Sequence, residues 1–129
     1  MRYFLDTNVV IRFLKAEPKV VERMREIVEQ QVFISSIVAA ELYRGVFLSE
    51  SKREAQKVAE FITRVGIIDF DHAAARICGE QYAALKRAGK LTQEFDLLIA
   101  SVCLAHDGVF VTMNGKDFRN IEGLKLLAL

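Results

Sequence analysis

Short apolar runs alternate along this chain with longer stretches in which apolar residues recur every three to four positions. Tyr3-Phe4-Leu5 breaks abruptly into Asp6-Thr7-Asn8, and a second apolar run, Val9 to Leu14, follows at once. This predicts a buried strand that carries Asp6 at its carboxyl end and then turns into a helix. Glu17-Pro18 breaks the pattern. Val20, Val21, Met24, Ile27 and Val28 then recur at helical spacing, with Glu22, Arg23, Arg25, Glu26 and Glu29 on the other side. Val32-Phe33-Ile34-Ser35 reads as a second strand, and Ser36 as the N-cap of a helix from Ile37 to about Leu48. A further amphipathic helix over 51–64 points Ala55, Val58, Ala59 and Ile62 inward. Val65 to Phe70 is a third strand, and Asp71 caps a helix that runs to about Ala88 and ends at Gly89. Thr92 caps a helix from Gln93 to about Ala105, Asp107-Gly108 turns, and Val109-Phe110-Val111-Thr112 is a fourth strand. A polar loop from Met113 to Asp117 follows, and Leu124 to Leu129 is expected as a last, edge strand.

Strands alternating with helices predict a three-layer α/β/α domain around a central, mostly parallel sheet of four to five strands. No repeat, low-complexity tract or linker divides residues 1–129, so one domain is expected, large enough to bury a real core. In open α/β sheets ligands bind beyond the carboxyl ends of the strands, which is where Asp6 falls.

Composition narrows the classes. The chain is 52% apolar and 27% charged, as ordinary soluble domains are. Its 18 Lys and Arg against 17 Asp and Glu give a net charge of +1, which argues against a diffuse basic surface but leaves room for a local basic rim. Asp6 and Asn8 interrupt the first apolar run too early for a signal peptide, and Val9 to Leu14, with Arg12 inside it, is too short to span a membrane. Cys78 and Cys103 lack CxxC spacing and read as core fillers rather than a disulfide or zinc site. A cytoplasmic protein without a membrane partner is expected.

Most acids sit among other charges on helix faces. Asp6, Glu41, Asp96 and Asp117 do not: Glu41 lies in Ile37-Val38-Ala39-Ala40-Glu41-Leu42, Asp96 in Phe95-Asp96-Leu97-Leu98-Ile99-Ala100, and Asp117 closes the loop after the fourth strand. A carboxylate in apolar surroundings is costly unless it is paired or holds a metal. Gly45 and Ala100 stand one turn beyond Glu41 and Asp96, leaving room for an ion and substrate. Taken singly, Asp6 reads as a helix cap and Asp96 as an acid favoured by the helix dipole. Taken together, clustered carboxylates raise one another's pKa values, and a divalent cation removes that penalty. An all-oxygen set suits Mg²⁺ or Mn²⁺, ions that support in-line hydrolysis of phosphate esters.

The same residues resemble the motifs of a known family. Leu5-Asp6-Thr7-Asn8 resembles the opening motif of PIN-domain ribonucleases; Ala39-Ala40-Glu41-Leu42-Tyr43-Arg44-Gly45 and Asp96-Leu97-Leu98-Ile99-Ala100 look like the second and third acidic motifs; Thr112-Met113-Asn114-Gly115-Lys116-Asp117-Phe118 is similar to the fourth. Length and motif order look like the VapC toxins of type II toxin–antitoxin pairs. The resemblance implies an Mg²⁺- or Mn²⁺-dependent endoribonuclease acting on structured RNA such as tRNA or rRNA. It also implies a homodimer, possible higher toxin–antitoxin complexes, and inhibition by a VapB-like antitoxin. By resemblance, Asp6, Glu41, Asp96 and Asp117 form the catalytic, metal-binding set, with Asp6 and Asp96 as direct ligands and Asp117 acting through water. Thr7, Asn114 and Thr112 are supporting polar groups. Met113, and the lack of Pro or Gly over Leu91-Thr92-Gln93-Glu94-Phe95, depart from the usual pattern.

Among the basic residues, Arg44 and Lys116 stand beside motif acids and are candidates to bind RNA phosphates. His72 and His106 are too isolated for a metal or general-base role. Val9, Phe13, Phe47 and Phe61 read as core, with a dimer interface as the alternative. Three other functions compete: a phosphatase with Asp6 as nucleophile, which would want a second Asp where Asn8 stands; a PIN-like module that binds RNA or protein without cutting; and an RNA-processing nuclease outside a toxin–antitoxin pair.

Overall fold

Five parallel strands in the order β3-β2-β1-β4-β5 form the centre of the computed structural model, which describes residues 1–27 and 31–129. The strands are β1 (Arg2–Leu5), β2 (Gln31–Ser35), β3 (Gly66–Ile68), β4 (Val109–Thr112) and β5 (Lys125–Ala128). Helices α1 (Thr7–Leu14) and α2 (Pro18–Ile27) connect β1 to β2, and α3 (Ser36–Ser49) and α4 (Lys52–Arg64) connect β2 to β3. Helices α5 (His72–Arg87) and α6 (Glu94–Ala105) return the chain to β4, and a short 3-10 turn, Gly115–Asp117, precedes β5. The expected mostly parallel sheet is therefore parallel throughout the described strands. Parallel strands need helical crossovers and are covered on both faces, which is why their sequences read as continuous apolar runs.

The order matters for function. From β1 the sheet grows through β2 and β3 on one side, then resumes with β4 and β5 on the other. The gap between the carboxyl ends of β1 and β4 is the topological switch point, where a crevice opens above the sheet. Asp6 and Thr112 end or follow those two strands.

Phe4, Leu5, Ile34, Phe110 and Val111 are buried at the centre, with Phe4 stacked on Phe33 at 5.6 Å between ring centroids. Gly108 comes within van der Waals reach of that stack. A Cβ there would meet Phe4 Cδ2 at 2.6 Å and the Arg2 carbonyl at 3.2 Å. Gly108→Ala is expected to destabilise the protein by about 1–3 kcal/mol through overpacking, measured by urea denaturation.

Several expectations are corrected at element ends. Ser35, not Ser36, caps α3, accepting from Val38 N at 3.1 Å; the Ser36 hydroxyl instead accepts from Phe70 N at 3.0 Å, tying α3 to the segment after β3. Thr92 does not cap α6, whose N-cap is Gln93 without a side-chain bond. β3 is shorter than the apolar run Val65 to Phe70, because only Gly66–Ile68 pair with β2. On α4, Phe61 is buried in place of Ala59, which is exposed. Asp71 does cap α5, and Gly89 follows its end with φ +68°. Val28 and Glu29, expected to extend α2, lie outside the described residues.

Val9 and Phe61 are core, and Phe13 packs on Phe61 at 6.2 Å; Phe47 is not core, being 76% exposed. Cys78 and Cys103 are free thiols in half-buried and buried positions, and burial pushes the Cys103 thiol up to about 12. Among the described residues no helix is long and apolar enough to cross a membrane.

Candidate active site

Asp6 leaves β1 with its backbone N–H donated to the Val111 carbonyl at 2.9 Å, which locks the strand end against β4. Its side chain caps α1: Oδ1 accepts from Thr7 N at 2.9 Å. Oδ2 accepts from the Thr112 hydroxyl at 2.8 Å, and that hydroxyl accepts in turn from Asn114 N at 3.0 Å. Asp6 is only 6% exposed and held at both oxygens. The orientation of this carboxylate is thus set by the strand, the helix start and the loop after β4 together.

Glu41 reaches the same place from α3, where its Oε1 accepts from the Thr7 hydroxyl at 2.7 Å. Asp96 comes from the first turn of α6 and Asp117 from the 3-10 turn after β4. All four acids line one pocket of about 340 Å³, together with Thr7 and Asn114. The expected convergence above the sheet is what the structure contains. Thr112 lies behind the pocket, fully buried, acting on it through Asp6. Gly45 borders the pocket, whereas Ala100 is buried in the core. Arg44 is on the rim, its guanidinium 5.6 Å from the centroid of the Phe95 ring. Lys116 lies outside this pocket, in an adjoining groove.

Several contributors were not anticipated, three of them in or beside the motifs. Asn8 and Phe118 border the pocket, and Phe95 holds Arg44. Each adjoins a motif acid or closes a motif in sequence, so adjacency to Asp6, Asp96 and Asp117 was the available signal. His72 and His106 do not line the pocket; the His106 ring sits 6.0 Å from that of Phe4.

The electrostatics are strained. Burial raises the Asp6 pKa; the hydrogen bonds from Thr112 and Thr7 oppose this, while the charges of Glu41 and Asp117 add to it. Asp96 is pushed up to about 6, first by burial and then by Asp6, Asp117 and Glu41. A divalent cation is the direct relief for such a cluster. The donors are carboxylate and hydroxyl oxygens without sulfur or imidazole, the chemistry that suits Mg²⁺ or Mn²⁺. Among the described residues no three His, Cys, Asp or Glu side chains form a ready-made cage. Mg²⁺ is usually held by one or two carboxylates, with waters and substrate completing the shell.

Thr112→Val tests the support given to Asp6. It preserves shape but removes the hydroxyl, freeing Asp6 Oδ2 and leaving Asn114 N–H without its partner. If the pocket takes a divalent cation, Mn²⁺ affinity is expected to fall by about 10–100-fold, the usual effect of losing a group that orients a ligating carboxylate. Calorimetric titration with Mn²⁺ would show it.

A PIN-domain family model matches residues 3–124 of the chain. The chain is similar to "Ribonuclease VapC2" of Rickettsia felis, 36% identical over 129 residues, covering 98% of this chain and 96% of that protein. It is also similar to "tRNA(fMet)-specific endonuclease VapC" of Shigella flexneri, 31% identical over 126 residues, covering 97% and 96%. Among solved structures, VapBC2 from Rickettsia felis bound to a promoter DNA fragment superposes with a TM-score of 0.89 at 34% identity, covering 99% of this chain and 98% of that one. DNA-bound VapBC from Salmonella typhimurium does so with a TM-score of 0.88 at 31% identity, over the same shares.

Proposed function

The chain belongs to the PIN-domain family, and from that premise we propose that it is a VapC-type toxin: an endoribonuclease of one domain, 1–129, that hydrolyses phosphodiester bonds in structured RNA. The Shigella relative's name makes tRNA the first substrate class to test, with rRNA as the other. The observation that carries the reading is Asp6, a buried carboxylate pinned at both oxygens at the switch point and facing three further acids in one pocket.

Asp6 and Asp96 are the residues proposed to hold Mg²⁺ or Mn²⁺, with Glu41 beside them and Asp117 acting through water. The ion, when bound, supplies Lewis-acid activation of water and compensation of the charge that develops on the phosphate. The protein's own part is orientation. Thr112 fixes the Asp6 carboxylate and Thr7 fixes Glu41, so little reorganisation is left for the moment of reaction. Arg44, braced on Phe95, is placed to bind an RNA phosphate entering the pocket. Asn114 lines the same pocket.

The activity is proposed to be restrained by a VapB-type antitoxin, as the VapBC complexes formed by its structural neighbours support. The toxin is proposed to work in the cytoplasm as a homodimer. The first test is cleavage of total cellular RNA with Mg²⁺ or Mn²⁺ and with EDTA. Discrete products that vanish with EDTA are expected. A folded, metal-loaded, antitoxin-free protein that binds RNA and leaves it intact would replace the nuclease reading with that of a binding module.

A further inference from the structure

A second groove of about 230 Å³ shares Asp96 and Asp117 with the acidic pocket but takes none of its lining from α1 or α3. Its other walls include Lys90, Thr92, Gln93, Lys116 and Asn120. The two depressions meet across the two shared carboxylates. We propose that this groove binds the RNA phosphodiester next to the one being cut, with Lys90 and Lys116 as its cations and Thr92, Gln93 and Asn120 as polar partners for the adjoining ribose. The proposal rests on the nuclease reading and deepens it by giving the strand a path.

The argument begins with charge. Four carboxylates in one pocket repel a polyanion, so a strand lying across them must be held by cations on either side. A net charge of +1 means those cations are local. Arg44 supplies one on the rim of the acidic pocket. On the other side of Asp96 and Asp117, Lys90 and Lys116 are exposed, and among the described residues neither is ion-paired to a carboxylate.

The groove is also built rather than incidental. Lys90 follows Gly89 in a Schellman motif: Gly89 N donates to the Lys86 carbonyl at 3.1 Å and Lys90 N to the Leu85 carbonyl at 2.8 Å. That fixes the backbone from which the lysine extends. Lys116 sits in the 3-10 turn that presents Asp117. The Thr92 hydroxyl, free of any capping duty, donates to the Asp117 carbonyl at 2.9 Å and ties the two lysine-bearing segments together. Its oxygen still has acceptor capacity for a ribose 2′-hydroxyl, the group that separates RNA from DNA.

The test is binding of a short, fluorescein-labelled, mixed-sequence single-stranded RNA, with Ca²⁺ in place of Mg²⁺, over a range of salt concentrations. The wild type is compared with Lys90→Gln, Lys116→Gln and the double variant, each checked for fold by circular dichroism. About tenfold weaker binding is expected for the double variant, from two solvent-exposed charge pairs. Its plot of log affinity against log salt should be shallower by about 0.7, the one single-strand phosphate that the groove holds. In Mg²⁺, KM should rise while kcat holds. Unchanged affinity and salt slope, or no binding by the wild type, would overturn the proposal. Wild-type binding without cleavage of any RNA, still lost in the double variant, would leave the groove standing and sink the nuclease reading instead.

Discussion

Asp6→Asn and Asp96→Asn are each expected to lower RNA cleavage by about 10³-fold or more and to leave the protein folded. Activity falls because each variant removes a full negative charge from the set proposed to hold the cation. The fold survives for different reasons at the two positions. At position 6 the amide oxygen can still accept from Thr7 N, and the amide nitrogen meets the Thr112 hydroxyl, which can accept as well as donate. Asp96 is half-buried and repelled by Asp6, Asp117 and Glu41, so neutralising it relieves strain.

That relief makes a pH-dependent prediction for the metal-free protein. The folded-state pKa of Asp96, about 6, lies above the unfolded carboxylate's value of roughly 3.9. Between the two the native state binds more protons than the unfolded one, so stability declines as pH rises through that window. The penalty is complete above about pH 6 and absent below about pH 4. After allowance for solvent screening it is of order 1 kcal/mol. In EDTA, Asp96→Asn should therefore be more stable than wild type at neutral pH, with the difference fading toward pH 4. Thermal denaturation at a series of pH values measures this. An unfolded variant would mark the acid as structural, and undiminished cleavage would remove it from the metal set.

Phe118→Ala is expected to cost about 3–4 kcal/mol of stability, a large share of the 5–15 kcal/mol that holds a typical domain together. The Phe118 ring is 1% exposed and packs on Phe110 at 4.6 Å between centroids, tilted by 50°. It anchors the loop after β4 to the centre of the sheet, immediately after Asp117. Its loss leaves a cavity and loosens the turn that carries Lys116 and Asp117, so cleavage should fall by more than the unfolded fraction explains. Phe118→Leu keeps most of the volume and should cost only about 1 kcal/mol. Urea denaturation beside a cleavage assay on both variants separates the effects; equal stability of Phe118→Ala and wild type would contradict the anchoring role.

Much of the candidate site is legible in the sequence, because its signals are short-range. An acid inside or ending an apolar run stands out wherever the run sits, which singles out Asp6, Glu41 and Asp96, whereas Asp117 stands out only by closing the loop after a strand. The alternation of strand and helix patterns likewise specified a parallel sheet with helices on both faces. Element ends were less legible. Ser35 and Ser36 are both good caps, and only packing against the segment at Phe70 decides between them. Thr92 has the right side chain to cap α6, yet its hydroxyl is taken by the Asp117 carbonyl from another part of the chain.

The sequence alone singled out the four acids that line the pocket and roughly where along the chain each element lies, since periodicity and local composition act over a turn or two. Tertiary structure alone decided which of those side chains meet. Thr112 reaches Asp6 across a separation of 106 residues and Thr7 reaches Glu41 across 34. The first contact depends on β4 pairing with β1, and the second on β2 pairing with β1 from the other side, since Thr7 follows β1 and Glu41 lies on the helix that follows β2. Strand order is set by the joint packing of every crossover on the sheet, and no local window of sequence contains it.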